Sequence, residues 1–341
     1  MRLAIVGATG AVGQQALKIL EQRKFPVTEV VAFSSPRSAG KTVRFQGRDL
    51  VCQVMKPGCF QGVQIAFFDA SDEVSKEWVP RAAEDGAWVI DNSATYRMDP
   101  DVFLLVPEVN GKLLSDRLAK GAADPKQRIL AGPNCSTVQL VVALKPIHDR
   151  WGLKRVVVSS YQSVSGAGSL AIDELFEQTA DHLAGRPVKP KIFAHSIAFN
   201  CIPQIGGFKE DAYTSEEQKI MAETRKILGL PGLKVTATAV RVPTVQSHAE
   251  TVNVECERPF ELAEVRQAME KFSGLKVVDE PARGKYPMAV DCANQDAVYV
   301  GRLRRDDSVP HGLNMWVVSD NLRKGAALNG IQIAEMLLGK I

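Results

Sequence analysis

No apolar run in this chain approaches the roughly eighteen residues that a membrane-spanning helix needs. Its six cysteines, Cys52, Cys59, Cys135, Cys201, Cys256 and Cys292, include no C-x-x-C pair and no histidine–cysteine cluster at zinc spacing, so no metal site is indicated and the thiols read as reduced. Charge of one sign is missing too: 42 Lys and Arg stand against 39 Asp and Glu, a net charge of +3. With that balance no basic face advertises nucleic acid or a membrane surface, and a small anionic ligand remains compatible. There is no internal repeat and no low-complexity segment. Met1-Arg2 passes directly into the apolar run 3–6, which leaves no room for a secretory leader. The expectation is a soluble, cytoplasmic protein.

What is present is a globular composition over 341 residues, 45% hydrophobic and 24% charged, long enough for two cores. Up to about residue 131, short apolar runs at 3–6, 28–33, 65–69, 88–91 and 129–131 alternate with helical patterns at 11–23 and 71–85, which is a βαβ series. After Cys135 the rhythm changes. A strand at 155–161, a helix at 169–184, a long irregular stretch to 207 and a helix at 215–228 precede strands at 235–241, 250–256, 297–303 and 313–318. The expected fold is α/β: a Rossmann-type dinucleotide-binding domain at 1–132, completed by a C-terminal helix at 322–341, with an α+β domain at 133–321 built on a mostly antiparallel sheet.

The segment Val6-Gly-Ala-Thr-Gly-Ala-Val-Gly13 places Gly7, Gly10 and Gly13 between the first strand and the first helix. Glycines there let backbone approach a pyrophosphate while the helix N-terminus supplies N–H groups and a positive dipole. An NAD site would place Asp or Glu at the end of the second strand for the ribose hydroxyls. This chain has Phe33-Ser34-Ser35-Pro36-Arg37-Ser38-Ala39-Gly40-Lys41 instead, hydroxyls and cations that suit a 2′-phosphate, hence NADP, or that form an ordinary polar loop.

Pro133-Asn134-Cys135-Ser136 sits at a strand-to-helix junction, where orphan N–H groups and the helix dipole favour a thiolate. Cys135 reads as a nucleophile or as a small buried hydrophobe. His148, His182, His195 and His311 fall where structural or solvated roles are ordinary. His248 follows Arg241-Val-Pro-Thr-Val-Gln-Ser; on a straight strand the two side chains would point to opposite faces, and a break at Pro243 lets both enter one cleft. Arg97 lies in the loop after the fourth strand, where α/β sheets bind ligands. Glu216 and Lys219 share a helix face as ligand-binding groups or as a plain ion pair. Gln162 leads into the glycine-rich Ser163-Val-Ser-Gly-Ala-Gly168.

Together these segments resemble the aspartate-β-semialdehyde dehydrogenase family from end to end. The carriers are Gly7 to Gly13, Ser35-Pro-Arg-Ser-Ala-Gly-Lys41, Asp91-Asn-Ser, Val106-Pro-Glu-Val-Asn110, Pro133-Asn-Cys-Ser-Thr137, Tyr161-Gln-Ser-Val-Ser-Gly-Ala-Gly168, Arg241-Val-Pro and Ser319-Asp-Asn-Leu-Arg-Lys-Gly-Ala326. The resemblance implies that Cys135 is the nucleophile, His248 the acid/base titrating near neutrality, and Gln162 the residue orienting the acyl group. It implies that Arg241 and Glu216 bind the substrate carboxylate and amino group, that Arg97 and Lys219 bind phosphate, and that Asn134 flanks the nucleophile in the substrate site. Cofactor contacts map to Gly7, Thr9, Gly10, Ala11, Val12, Gly13, Ser35, Arg37, Ser38, Ser165, Gly166 and, near the nicotinamide, Asn321. The implied reaction is NADPH-dependent reductive dephosphorylation of β-aspartyl phosphate to the semialdehyde, serving lysine, threonine and methionine formation. The implied assembly is a homodimer through the second domain, with a tetramer left open. Phe103 and the stretch 121–128 depart from the family pattern without touching an expected chemical group. A malonyl-CoA reductase could use the same nucleophile, but Glu216 has no amine to pair there, and a non-catalytic paralogue would not need both Cys135 and His248.

Overall fold

The computed structural model describes residues 1–339. The chain forms two compact units, the first of Met1–Asn134 with the return from Ala326, the second Cys135–Gly325. The first holds a six-stranded, wholly parallel sheet in the order Glu29–Phe33, Arg2–Val6, Ile65–Phe68, Trp88–Asp91, Ile129–Ala131, Phe103–Leu104. Its strands are apolar on both faces because helices cover both. The helix Ala11–Gln22 buries Ala16, Leu17, Ile19 and Leu20, and Asp72–Glu84 is capped by Ser71, whose hydroxyl accepts from the Val74 amide. A two-stranded ribbon, Thr42–Phe45 with Arg48–Val51, turns at Gln46-Gly47, both at positive φ; its short alternation was not expected from the sequence.

The closing helix is Leu328–Leu337 and not 322–341. A π-turn at Arg323–Ala327 delays its start, and positions 340 and 341 lie outside the described residues. It packs into the first unit's core through Leu328, Ile331 and Ala334. A Cβ on Gly330 would meet the Phe67 ring at 2.3 Å, so glycine is what permits this close approach. Arg23 donates to both Glu335 oxygens, at 2.7 and 2.6 Å.

The second unit is built on a mixed sheet in the order Lys234–Arg241, Leu153–Gln162, His248–Cys256, Gly312–Ser319, Val298–Asp306, Leu275–Val277. The three inner pairings are antiparallel and the two outer ones parallel. The helices Cys135–Trp151, Ser215–Leu228 and Leu262–Glu270 pack on it. Alternation puts Val156, Val158, Ser160 and Gln162 inward. Opposite them lie Val254, Val252, Glu250 and His248. The buried face is thus apolar at one end and polar at the other, and the polar end carries the site. The strand expected at 250–256 begins two residues earlier, so His248 is held in the ladder opposite Ser319.

Glu250 is fully buried, and neither of its carboxyl oxygens has a hydrogen-bond partner of ordinary geometry among the described residues. Burial pushes its carboxyl pKa well above the usual range. The unfolded chain therefore loses this proton first, above about pH 4.3, and the folded state is progressively disfavoured as pH rises from there toward the folded pKa. We expect Glu250→Gln, which stays neutral, to gain thermal stability relative to wild type between about pH 5 and pH 8, by up to about 1.4 kcal/mol per pH unit. Melting curves across that range check this; a difference independent of pH would show that Glu250 is ionised in the fold.

Candidate active site

In the first unit, Gly7 ends the opening strand at φ +88, where a Cβ would come within 2.1 Å of the Asp69 carbonyl oxygen. A Cβ on Gly13 would meet the Gly7 oxygen at 2.3 Å. Gly10 caps the helix Ala11–Gln22 with no side-chain hydrogen bond, so the first-turn N–H groups around Ala11 and Val12 have no side-chain cap. The loop borders a cavity of about 480 Å³ lined by Gly7, Thr9, Gly10, Ser34, Ser35 and Asp69, among others. This cradle fits a dinucleotide phosphate: bare backbone, a helix N-terminus and room. Arg37 and Ser38 lie on the turn Pro36–Ser38 just beyond Ser35; Arg37 is exposed and pairs with no group among the described residues.

Arg97 is buried and its Nη2 donates to the Asn92 carbonyl at 2.6 Å. Asp91 shapes this loop by accepting from Ser75 Oγ at 2.8 Å and Ser93 Oγ at 2.6 Å. Burial raises the pKa of Asp69 to about 6, against hydrogen bonding from Asn92. Asn134, also buried, is the last residue of this unit.

In the second unit, Cys135 is the first residue of the helix Cys135–Trp151, where the dipole favours negative charge. It is partly accessible. A Cβ on Gly325 would lie 3.0 Å from the Cys135 Cβ, so glycine lets that chain segment pass over Cys135. Burial holds four of the other thiols back: Cys52 and Cys59 are raised, and Cys256 and Cys292 are pushed up to about 12.

Ser163 is the hub that the sequence reading missed. Its N–H donates to His248 Nδ1 at 3.0 Å, and its carbonyl accepts from Arg241 Nη1 at 2.7 Å. A backbone N–H can only donate, so Nδ1 is the acceptor and the neutral ring carries its proton on Nε2. Nε2 has no partner among the described residues. Burial first, then Arg241, lowers the His248 pKa to about 3. This corrects the expectation of titration near neutrality: the ring is enclosed beside a cation, and the imidazolium is disfavoured on both counts. Arg241 and His248 do converge, since a Cβ on Gly166 would lie 3.0 Å from Arg241 Nη1 and 3.2 Å from His248 Nε2. The strand break at Pro243 is only part of the reason. Ser247 adopts φ +73, and its N–H is held by Asn321 Oδ1 at 2.9 Å. Asn321 Nδ2 also donates to Ser165 Oγ at 3.0 Å. Among the described residues, then, Asn321 ties the turn that aims His248.

Gln162 is buried and its Nε2 donates to Ser160 Oγ at 3.2 Å and Glu216 Oε1 at 3.3 Å. Glu216 is buried and Lys219 partly exposed, with 3.8 Å between them, so the pair is not the exposed one that their spacing allows. Burial lowers the Arg241 pKa while Cys135 and Glu216 raise it, which places these two acids electrostatically beside the guanidinium. Glu217, also missed, caps its helix by accepting from the Thr214 N–H at 2.6 Å and takes the Ala239 N–H at 2.9 Å. The capping box at Thr214 was a signal that could have found it.

A family model for the semialdehyde dehydrogenase NAD binding domain matches residues 2–117, and one for the semialdehyde dehydrogenase dimerisation domain matches 144–324. The chain is 49% identical over 339 residues to the aspartate-semialdehyde dehydrogenase of Aquifex aeolicus, covering 99% of this chain and 98% of that one. It is 44% identical over 345 residues to that of Bacillus subtilis, covering 99% and 97%. Among solved structures, aspartate semialdehyde dehydrogenase II of Vibrio cholerae complexed with ASA superposes with a TM-score of 0.93 at 45% identity, covering 99% of this chain and 98% of that one. The Candida albicans aspartate semialdehyde dehydrogenase with NADP gives 0.75 at 27% identity, covering 99% of each.

An added carbon at Gly166 would fit only if the Arg241 and His248 tips moved aside. We expect Gly166→Ala, whose backbone is not at positive φ, to fold normally, displace the Arg241 and His248 tips, and reduce kcat/KM roughly tenfold or more. Steady-state kinetics with a melting curve check this; unaltered turnover would mean that the two side chains do not share the reacting space.

Proposed function

Because the chain belongs to the aspartate-semialdehyde dehydrogenase family, we propose that it converts β-aspartyl phosphate and NADPH to aspartate semialdehyde, NADP and phosphate, reversibly, through a thioester on Cys135. The observation that carries this reading is the convergence of His248 Nε2 and Arg241 on Gly166, with Cys135 and Glu216 electrostatically beside that guanidinium.

In this reading Arg241 pairs with the substrate carboxylate and Glu216 with its amino group, which presents the acyl carbon to Cys135. Gln162 orients the acyl oxygen, and Asn134 flanks the nucleophile. Arg97 and Lys219 contact the phosphate. The Cys135 thiolate attacks the acyl carbon, and collapse of the oxyanion expels phosphate and leaves the thioester. A bound nicotinamide dinucleotide supplies the hydride that reduces it. His248 starts neutral and donates a hydrogen bond from Nε2 to the developing oxyanion. Full proton transfer needs the imidazolium. A substrate carboxylate on Arg241 offsets the positive charge that helps hold the ring neutral, so that Nδ1 can take a proton from solvent, giving up the Ser163 N–H bond and donating instead to Ser163 Oγ, 3.1 Å away. His248 then protonates the thiohemiacetal oxygen and takes the proton back as the aldehyde leaves.

We assign dinucleotide binding to the first unit, from Gly7 and Thr9 to Gly13 with Ser35, Arg37 and Ser38, and catalysis and homodimer formation to the second, and we assign Ser165, Gly166 and Asn321 as further cofactor contacts. Support for NADP comes from the missing acid after Phe33 and the unpaired Arg37. The product would feed lysine, threonine and methionine formation in the cytoplasm.

The test is NADPH formation from aspartate semialdehyde, phosphate and NADP. Cys135→Ser should retain dinucleotide binding and lose nearly all turnover, because a hydroxyl supplies almost no anion at neutral pH. Iodoacetamide should label Cys135 first in the wild type, with substrate protecting it. Activity surviving complete alkylation of Cys135 would overturn the mechanism.

Arg37→Ala should weaken NADP by about ten- to a hundredfold, as one lost charged hydrogen bond implies, and leave NAD unchanged. Equal weakening of both in titration calorimetry would give Arg37 a structural role.

A further inference from the structure

The irregular segment between the helix Ser169–Leu183 and the helix Ser215–Leu228 is held from one side by two buried side chains. Glu174 accepts the Lys191 N–H on Oε1 at 2.8 Å and the Ile192 N–H on Oε2 at 2.7 Å. Gln178 accepts the Ile197 N–H at 2.8 Å and the Ala198 N–H at 3.2 Å, and its Nε2 donates back to Glu174 at 2.7 Å. Both lie on the inward face of their helix, only 2% and 3% exposed. One carboxylate and one amide therefore replace the ladder that this stretch lacks, four backbone donors in eight residues.

Between those two anchors lies Phe193, whose ring faces the Arg241 guanidinium with 5.8 Å to its centroid, within cation–π range. Farther on, Ile202 exchanges both backbone hydrogen bonds with Arg241, at 2.9 and 2.8 Å. A cavity of about 260 Å³ opens there, lined by Phe193, Ile202, Ile205, Gln204 and Arg241. Arg241 is thus held at its backbone by Ile202 and at Nη1 by the Ser163 carbonyl, with its guanidinium carbon over the Phe193 ring. The two hydrogen bonds leave the plane of the fork free to tilt, and a ring against the guanidinium restricts that tilt.

We infer that Glu174 and Gln178 are positioning residues, which clamp the segment 191–198 so that Phe193 sets the plane of the Arg241 fork and with it the selectivity of the site for a carboxylate-bearing substrate. The kinetic arm rests on the proposed role of Arg241. Two arms do not. Glu174→Gln has one acceptor for two amides, so hydrogen exchange at Lys191 and Ile192 should quicken about tenfold or more. Phe193→Leu leaves the clamp intact, so exchange there should be unchanged; phenylglyoxal, which needs no substrate, should modify Arg241 faster in both variants. With aspartate semialdehyde, both should raise KM roughly threefold to tenfold while kcat and the KM for NADP stay within about twofold, and Phe193→Tyr, which keeps the ring face, should restore wild-type values. A merely structural role would lower the active fraction and move no KM. Unaltered exchange in Glu174→Gln overturns the clamp, and unaltered Arg241 labelling in Phe193→Leu overturns the positioning. A wild type inactive on the semialdehyde would sink the proposed reaction, while exchange and labelling would still decide this inference.

Discussion

One residue, Ser163, holds both His248 and Arg241 through its backbone. Its N–H faces the acceptor nitrogen of His248 and its carbonyl takes one N–H of the Arg241 guanidinium. Backbone groups have no rotamers to lose, so they fix direction more firmly than a side chain could. The consequence is chemical as well as geometric. The imidazole is locked in one tautomer with its proton on Nε2, and Arg241 is held close enough to keep that ring neutral. Ser163 can do this because it begins the turn after Gln162, where the strand stops pairing and its peptide groups become available.

Burial does most of the electrostatic tuning. His248 and Arg241 are both shifted downward first by loss of solvent, and Glu250 and the buried cysteines upward by the same cause. In the proposed reaction a substrate carboxylate would bring the charge that Arg241 lacks, and the charge state of His248 would follow. The thiols show the converse: five other cysteines are spread through the chain, but Cys135 alone among them starts a long helix while remaining partly accessible.

Glycine contributes by absence. Gly7 and Gly13 remove Cβ atoms that would strike the carbonyl oxygens of Asp69 and Gly7, Gly166 clears the space before Arg241 and His248, and Gly325 passes over Cys135. At Gly7 the positive φ adds a backbone reason to the steric one.

The parallel first sheet was legible because strands buried on both faces read as continuous apolar runs and their helices keep a 3.6-residue rhythm. So was the cradle, because its glycines and helix start are adjacent in sequence. Cys135 could be suspected from the same local logic. Pattern alone could not show that Glu216 is buried, that Ser247 takes a left-handed turn to aim His248, or that the closing helix waits until Leu328 behind a π-turn. Nor could it show Ser163 as the hub, since a serine offers no signal when its backbone does the holding. The sequence by itself determined which elements form and which chemical groups are on hand, because those depend on neighbours a few residues away. Only the tertiary structure decided which groups meet and in what protonation state, because Arg241 and His248 reach Ser163 across 78 and 85 residues of chain, and their charges answer to the solvent that this packing excludes.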